Sequence, residues 1–286
     1  MNFKEALKMI DQNSAEMVKI YIPSKDAEFD FRALTTGDQR LLAKSAVSMD
    51  NYNGDLIRFG LFDKMLITSD VPMMGISKKI MSSELSVVDM ISFTASLKSQ
   101  ISNSVDHKIE CPICDDGVIN RQINLPEIID NCRNFTPCRT SVELDHDGVD
   151  YKFILGESAW FDVVILREAI KKSSSDESSV STLANFAFNN TCLYIKDLFI
   201  NGEQILTDDN KPFCKMSVPD RVRLFDTLPP AITIDDKNEN SLLSIVLDKF
   251  NTIDIQKKIF GDNPIKCPSC GAELGDGLTY DNFFIL

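Results

Sequence analysis

Hydrophobic and polar positions change period several times along this chain, and each change marks an element. The opening "MNFKEALKMIDQNSAEM" sets short apolar patches among charges, as a short amphipathic helix would, and "MVKIYI" then reads as a strand that Pro23 stops. In "AEFDFRALTTGDQRLLAKSAV" Phe29 and Phe31 share one face of a strand before the spacing becomes helical. Thr36 with Gln39 three residues on has the form of a capping box, so the first main helix is expected to start there.

Two further helices are expected over "NGDLIRFGLFDKML" and "SVVDMISFTASLKSQI", the second begun by Ser86 with Asp89 and keeping Val88, Ile91 and Ala95 at helical spacing. "HKIE" and "VINRQINL" then alternate on either side of "CPIC", which predicts a hairpin. Beyond Pro126, "SVELDHDGVDYKFIL" reads as a hairpin closed at Asp147-Gly148, "SAWFDVVILREAIKK" as a helix from near Ser158 to Lys172, and "CLYIKDLFINGEQIL" as two strands joined at Asn201-Gly202. "SSSDESSVS" has no period and reads as a loop. "SVPDRVRLFDTLPP", begun by Ser217 with Asp220, and "SLLSIVLDKFNTIDIQKKIF" complete a helical block.

The expected fold is α+β, mostly helical with short β-hairpins. Its parts are an N-terminal arm and strand (1–35), a helical segment (36–108), a first knuckle hairpin (109–125), an inserted α/β segment (126–264), and a second knuckle with a C-terminal strand (265–286).

Cysteine spacing adds chemistry to this outline. Four of the eight cysteines form two CPxC knuckles, Cys111/Cys114 and Cys267/Cys270, with 152 residues between them. A tight CPxC turn aims two sulfurs at one ion and leaves its other side open for a second knuckle, so a shared four-cysteine zinc ribbon is the leading expectation, with Zn²⁺ as a structural ion. Closing so long a loop costs roughly 4 to 5 kcal/mol, against about 10 to 16 kcal/mol for structural zinc in small peptides. Redox chemistry at a CxxC and knuckles that never meet stay as alternatives; neither motif opens an evident helix after a strand, the setting that acidifies a thiol.

Among other candidates, Cys132 and Cys138 are spaced too widely for a knuckle and could serve only as alternate ligands, as could His107 four residues before Cys111. Cys192, Cys214 and Trp160 sit among apolar or aromatic neighbours and read as core. His146 falls in an expected turn, and the acidic pairs Asp115-Asp116 and Asp235-Asp236 read as solvated surface.

Composition narrows the function classes. The 286 residues are 43% apolar with a formal charge of −13, and the basic residues occur singly or in isolated pairs such as Lys78-Lys79. Without a basic stripe, no nucleic-acid partner is expected. No secretory h-region and no run of 18 apolar residues is present, so a soluble, non-secreted chain is expected, with no membrane association. Phosphate-loop, dinucleotide, zinc-protease and nucleophile-elbow motifs are all missing. Four cysteines would also leave zinc no open position for a water, so an enzyme is not expected.

The order "FDFRALTTGDQRLLAKSAV", "SVVDMISFTASLKSQI", "CPICDDGVINRQINLPEI", "CLYIKDLFINGEQI" and "CPSCG", ending in Phe283-Phe284, resembles the baseplate hub and hub-assembly proteins of contractile-tailed phages of the T-even type. The resemblance runs from Phe29 to Leu286 and rests on pattern and order; only the knuckles are specific in themselves. It implies a protein that acts by contact with other tail baseplate hub proteins, in the virion tail baseplate or in the host cytoplasm during assembly. The residues it carries over are the metal ligands Cys111, Cys114, Cys267 and Cys270. The long N-terminal extension and the "SSSDESS" loop depart from the pattern. A zinc-ribbon nucleic-acid-binding or transcription-related protein and a thiol-dependent enzyme are the rival classes.

Overall fold

The computed structural model describes residues 17–47, 51–67, 82–111, 113–114, 118–173, 188–207, 210–234, 241–261, 266–273 and 283. Within them the fold is α+β, with helices beside small antiparallel sheets. The expected N-terminal helix, most of the polar loop 173–181 and the C-terminal strand lie outside the described residues. The chain forms two compact units, Met1–Thr136 with Gln256–Leu286, and Pro137–Ile255.

In the first unit β1 (Met17–Ile22) pairs antiparallel with β2 (Ala27–Arg32), Ile20 opposite Phe29 and Val18 opposite Phe31. A 3-10 turn at Pro23–Lys25 joins them, with Asp26 left-handed at its end. Ile20, Ile22, Phe29 and Phe31 are all buried, as their alternation predicts. Phe31 meets Phe62 of α2 (Asn51–Met65) and Phe93 of α3 (Val87–Ser99), the three ring centroids lying 5.0–5.3 Å apart. Such tilted and edge-on pairs are favoured by the ring quadrupoles and tie strand to helices.

Helix α3 is the axis of this unit: every residue from Val88 to Lys98 is buried. A helix covered on all sides must satisfy its polar groups internally. Asp89 does so as the expected cap partner of Ser86, accepting the Ser86 N–H at 2.7 Å and the Ser24 N–H at 2.8 Å. Ser92 donates to the Tyr21 carbonyl at 2.7 Å. Among the described residues Lys98 forms no ion pair with a carboxylate; its ammonium donates to the Phe283 carbonyl at 3.0 Å and lies 5.0 Å from the centre of the Phe283 ring. Burial, helped by the charge of Arg58, brings the Lys98 amine down to about 7.

Helix α1 (Thr36–Val47) starts as expected, but its cap is one residue earlier than Thr36 with Gln39. Thr35 and Asp38 form the reciprocal pair: the Asp38 carboxylate accepts from the Thr35 N–H at 3.1 Å, and the Asp38 N–H donates to the Thr35 hydroxyl at 3.3 Å. The register is decided by Arg32 from β2 and Lys64 from α2, which both bind the buried Asp38 carboxylate. Burial alone would raise the pKa of this acid, but the bonds from Arg32, Thr35 and Lys64 outweigh it and hold the acid well below the usual carboxylate range.

The knuckle hairpin follows: β3 (Ser104–Glu110) pairs with β4 (Val118–Asn124) in register from Ser104–Asn124 to Glu110–Val118. It leads into α4 (Leu125–Asn134), which packs its buried Leu125, Ile128 and Cys132 beside α3. Although 126–264 reads as one insertion, α4 belongs to the first unit and the second begins at Pro137.

The second unit is built on a meander of β5 (Arg139–His146), β6 (Val149–Gly156), β7 (Ile195–Ile200) and β8 (Glu203–Gln204), in that order. Both expected turns are present, with positive φ at Asp147-Gly148 and Asn201-Gly202, as a two-residue hairpin loop requires. One face buries Phe153, Leu155 and Leu198. The unit also holds α5 (Trp160–Ser173), α6 (Val218–Asp226), the single turn α7 (Pro230–Thr233) and α8 (Leu242–Lys249). Ser217 accepts from the Asp220 N–H and caps α6, and the buried Arg221 pairs with Asp162 of α5.

The block "SLLSIVLDKFNTIDIQKKIF" is not continuous. It breaks at Phe250-Asn251, where Phe250 leaves helical geometry to pack its ring 4.8 Å from Tyr194, and restarts as α9 (Thr252–Phe260). Among the described residues no helix is long and apolar enough to cross a membrane.

Two consequences are measurable. Asp38→Ala is expected to lose about 2 kcal/mol at pH 7, the upper end for a lost helix cap. Because the folded acid lies below its ordinary value, its contribution is present above about pH 4 and fades on acidification. Urea unfolding of the two proteins should therefore converge as the pH falls below that value. For Lys98 the sign differs. Its folded pKa lies below the unfolded one, so the unfolded chain binds more protons from about pH 7 upward and stability rises with pH. Lys98→Met should be more stable than the parent at pH 7, with the gap narrowing by pH 8.5 in thermal melts.

Candidate metal centre

Each knuckle is positioned by local hydrogen bonds. Pairing of Glu110 with Val118 ends the first hairpin so that Cys111 leaves directly from the strand, and the Ile113 N–H donates to the Cys111 sulfur at 3.4 Å. The second knuckle closes with an isolated bridge between Lys266 and Glu273, whose side chains pair at 3.3 Å. Inside it the Cys267 N–H donates to the Ala272 carbonyl at 2.8 Å and the Gly271 N–H to the Cys267 carbonyl at 2.9 Å. Gly271 has φ +71°, a conformation that a side chain would strain, which accounts for glycine directly after Cys270.

The two knuckles meet within one chain. Cys111 Sγ lies 3.7 Å from Cys270 Sγ, Cys114 Sγ lies 3.5 Å from Cys267 Sγ, and all four sulfurs lie within 4.8 Å of one another. A metal–sulfur bond of about 2.3 Å in a tetrahedron places ligand sulfurs about 3.8 Å apart. The cluster is therefore close to the size that one tetrahedral thiophilic ion needs. Cys111 and Cys267 are buried, Cys114 is half-buried and Cys270 is exposed, so the centre lies at the surface of the first unit.

The thiols are unequal. Cys267 is drawn down to about 6, first by the Cys270 N–H directed at its sulfur, whereas Cys114 is pushed up to about 12, first by its hydrogen bond with Cys267. A thiolate at Cys267 with a proton held on Cys114 is what these bonds favour. A cation entering the cluster replaces such protons, so metal affinity falls on acidification.

The other candidates lie elsewhere. His107 stands on β3 opposite Arg121 and is outside the cluster. Cys132 is buried on α4, and that burial pushes its thiol up. Cys138 precedes β5, its N–H 3.4 Å from the Glu157 carboxylate. Cys192 donates to the Asn189 carbonyl at 2.9 Å and is raised to about 12 by burial, and Cys214 is half-buried in a 3-10 turn. Trp160 is a core residue, with the Arg167 guanidinium 4.9 Å from its ring centre. His146 closes β5 beside the turn and pairs with Asp147 at 3.4 Å. Asp115-Asp116 and Asp235-Asp236 fall outside the described residues.

Among the described residues, the four cysteines are the one group of potential ligands close enough to share an ion. Backbone donors such as the Ile113 and Cys270 N–H groups leave no mark in residue type, so the sequence pattern could not point to them. No protein-family model, curated protein or solved structure matches the chain.

Cys111→Ser and Cys267→Ser, one from each knuckle, should each abolish tight metal binding and lower the melting temperature. Metal analysis of the purified chain is expected to give one ion in the parent and much less than one in either variant. Full occupancy in both would refute the shared site.

Proposed function

We propose that this chain is a non-enzymatic phage tail baseplate hub subunit or hub assembly factor that acts through protein–protein contacts, and that its metal is structural zinc. The observation that carries the reading is the convergence of two distant knuckles on one cluster. Four protein thiols complete the coordination of a tetrahedral ion, so no position is left for a water or substrate, and the ion serves to hold chain segments together. Thiolate-rich tetrahedral sites favour zinc or iron, and zinc brings no redox chemistry. The hub assignment is supported by the order of the strand, helix and knuckle segments from Phe29 to Leu286.

The rival reading as a nucleic-acid-binding ribbon is disfavoured by charge. At −13, with no basic stripe, the chain repels phosphates.

The deciding measurement is peptide mass spectrometry on purified virions and on tail-assembly intermediates from infected cells. Peptides of this chain at a few copies per virion identify a hub subunit, and their presence in intermediates alone identifies an assembly factor. Absence from both, or salt-sensitive binding of DNA or RNA by the purified zinc-loaded chain, overturns the proposal.

A further inference from the structure

The solvent face of the four-stranded sheet in the second unit carries a pattern that its own fold does not use. Alternation along the strands puts Glu143 and Asp145 of β5, Asp150, Lys152 and Ile154 of β6, and Phe199 of β7 along a concavity of about 680 Å³. Ile154 and Phe199 form a half-buried apolar floor, and the charged residues around them are exposed. Lys152 is engaged by Glu143 at 2.8 Å. Asp145 and Asp150 face each other directly across the β5–β6 ladder, and neither carboxylate has an ion-pair partner among the described residues. Like charges in directly opposed positions of an antiparallel pair destabilise it.

We propose that this face docks a basic segment of another protein, an extended stretch in which arginine or lysine alternates with apolar residues. A cation over the Asp145–Asp150 pair converts the repulsion into attraction, while the aliphatic stem of the same side chain lies towards Phe199 and a later inward-facing apolar side chain of the segment covers Ile154. The two-residue period of an extended segment brings every second side chain to the sheet. A divalent cation is a poorer fit, because among the described residues these carboxylates do not converge on a common point as the four sulfurs do. The surface is argued from the second unit alone and stands apart from the hub assignment, so absence of the chain from virions would leave it intact.

The test uses the full zinc-loaded chain and a fluorescent octapeptide of alternating arginine and leucine, titrated at 0.15 M salt. Asp145→Asn with Asp150→Asn is expected to weaken binding at least tenfold, while its melting temperature holds or rises because the repulsion is relieved. A control that also removes two exposed acids, Asp106→Asn with Asp248→Asn, should weaken binding less than twofold. Amide shifts in the parent should concentrate on residues 143–145, 150–154 and 199. Equal weakening by the two double variants, shifts elsewhere, or competition by spermidine at matched charge overturns the proposal, the last by identifying a free polyamine as the occupant.

Discussion

Four sulfurs from two knuckles, with 152 residues between them, meet at one point, and the chain path of the first unit follows from that meeting. The chain must leave after the first knuckle and come back before the second. It leaves through α4 and returns along α9, and the two helices are tied by the Asn131 side chain, which donates to the Ile259 carbonyl at 2.9 Å. The long excursion carries an entropic cost of roughly 4 to 5 kcal/mol. A metal held by four thiolates would exceed that about two- to fourfold, and the stem between α4 and α9 lessens what such a metal must supply.

Buried polar groups give the first unit its specificity as much as its rings do. Asp89 fixes the start of α3 and the turn between β1 and β2 with one carboxylate. Asp38 gathers a strand, a helix start and a second helix around another. Lys98 works in the opposite sense. Its amine is buried against the Phe283 carbonyl, and that burial favours the neutral form over the charged one. Removing either carboxylate leaves its donors unsatisfied, which makes Asp89 and Asp38 costly to replace singly.

A centre whose ligands all come from the protein is suited to holding structure. The second unit offers a candidate docking surface on the open side of its meander, where Asp145 and Asp150 oppose each other beside a half-buried apolar floor. On the proposed reading, the four-cysteine cluster of the first unit holds the ends of a long excursion together, and the excursion carries the docking face.

The sequence by itself determined the local elements, because their signals are local. Alternation placed Phe29 and Phe31 in the core, Asp147-Gly148 and Asn201-Gly202 marked both turns, and Ser86 with Asp89 marked a helix start. The CPxC spacing singled out the four cysteines whose sulfurs the structure brings within 4.8 Å of one another. Tertiary structure decided what depends on distant partners. Two adjacent threonines offer two cap registers, and only Arg32 and Lys64 closing on Asp38 select Thr35. The last helical block reads as continuous, yet Phe250 gives up helical geometry to reach Tyr194. Whether the knuckles meet at all was equally beyond local pattern, since pairing across 152 residues is set by the path of the whole chain.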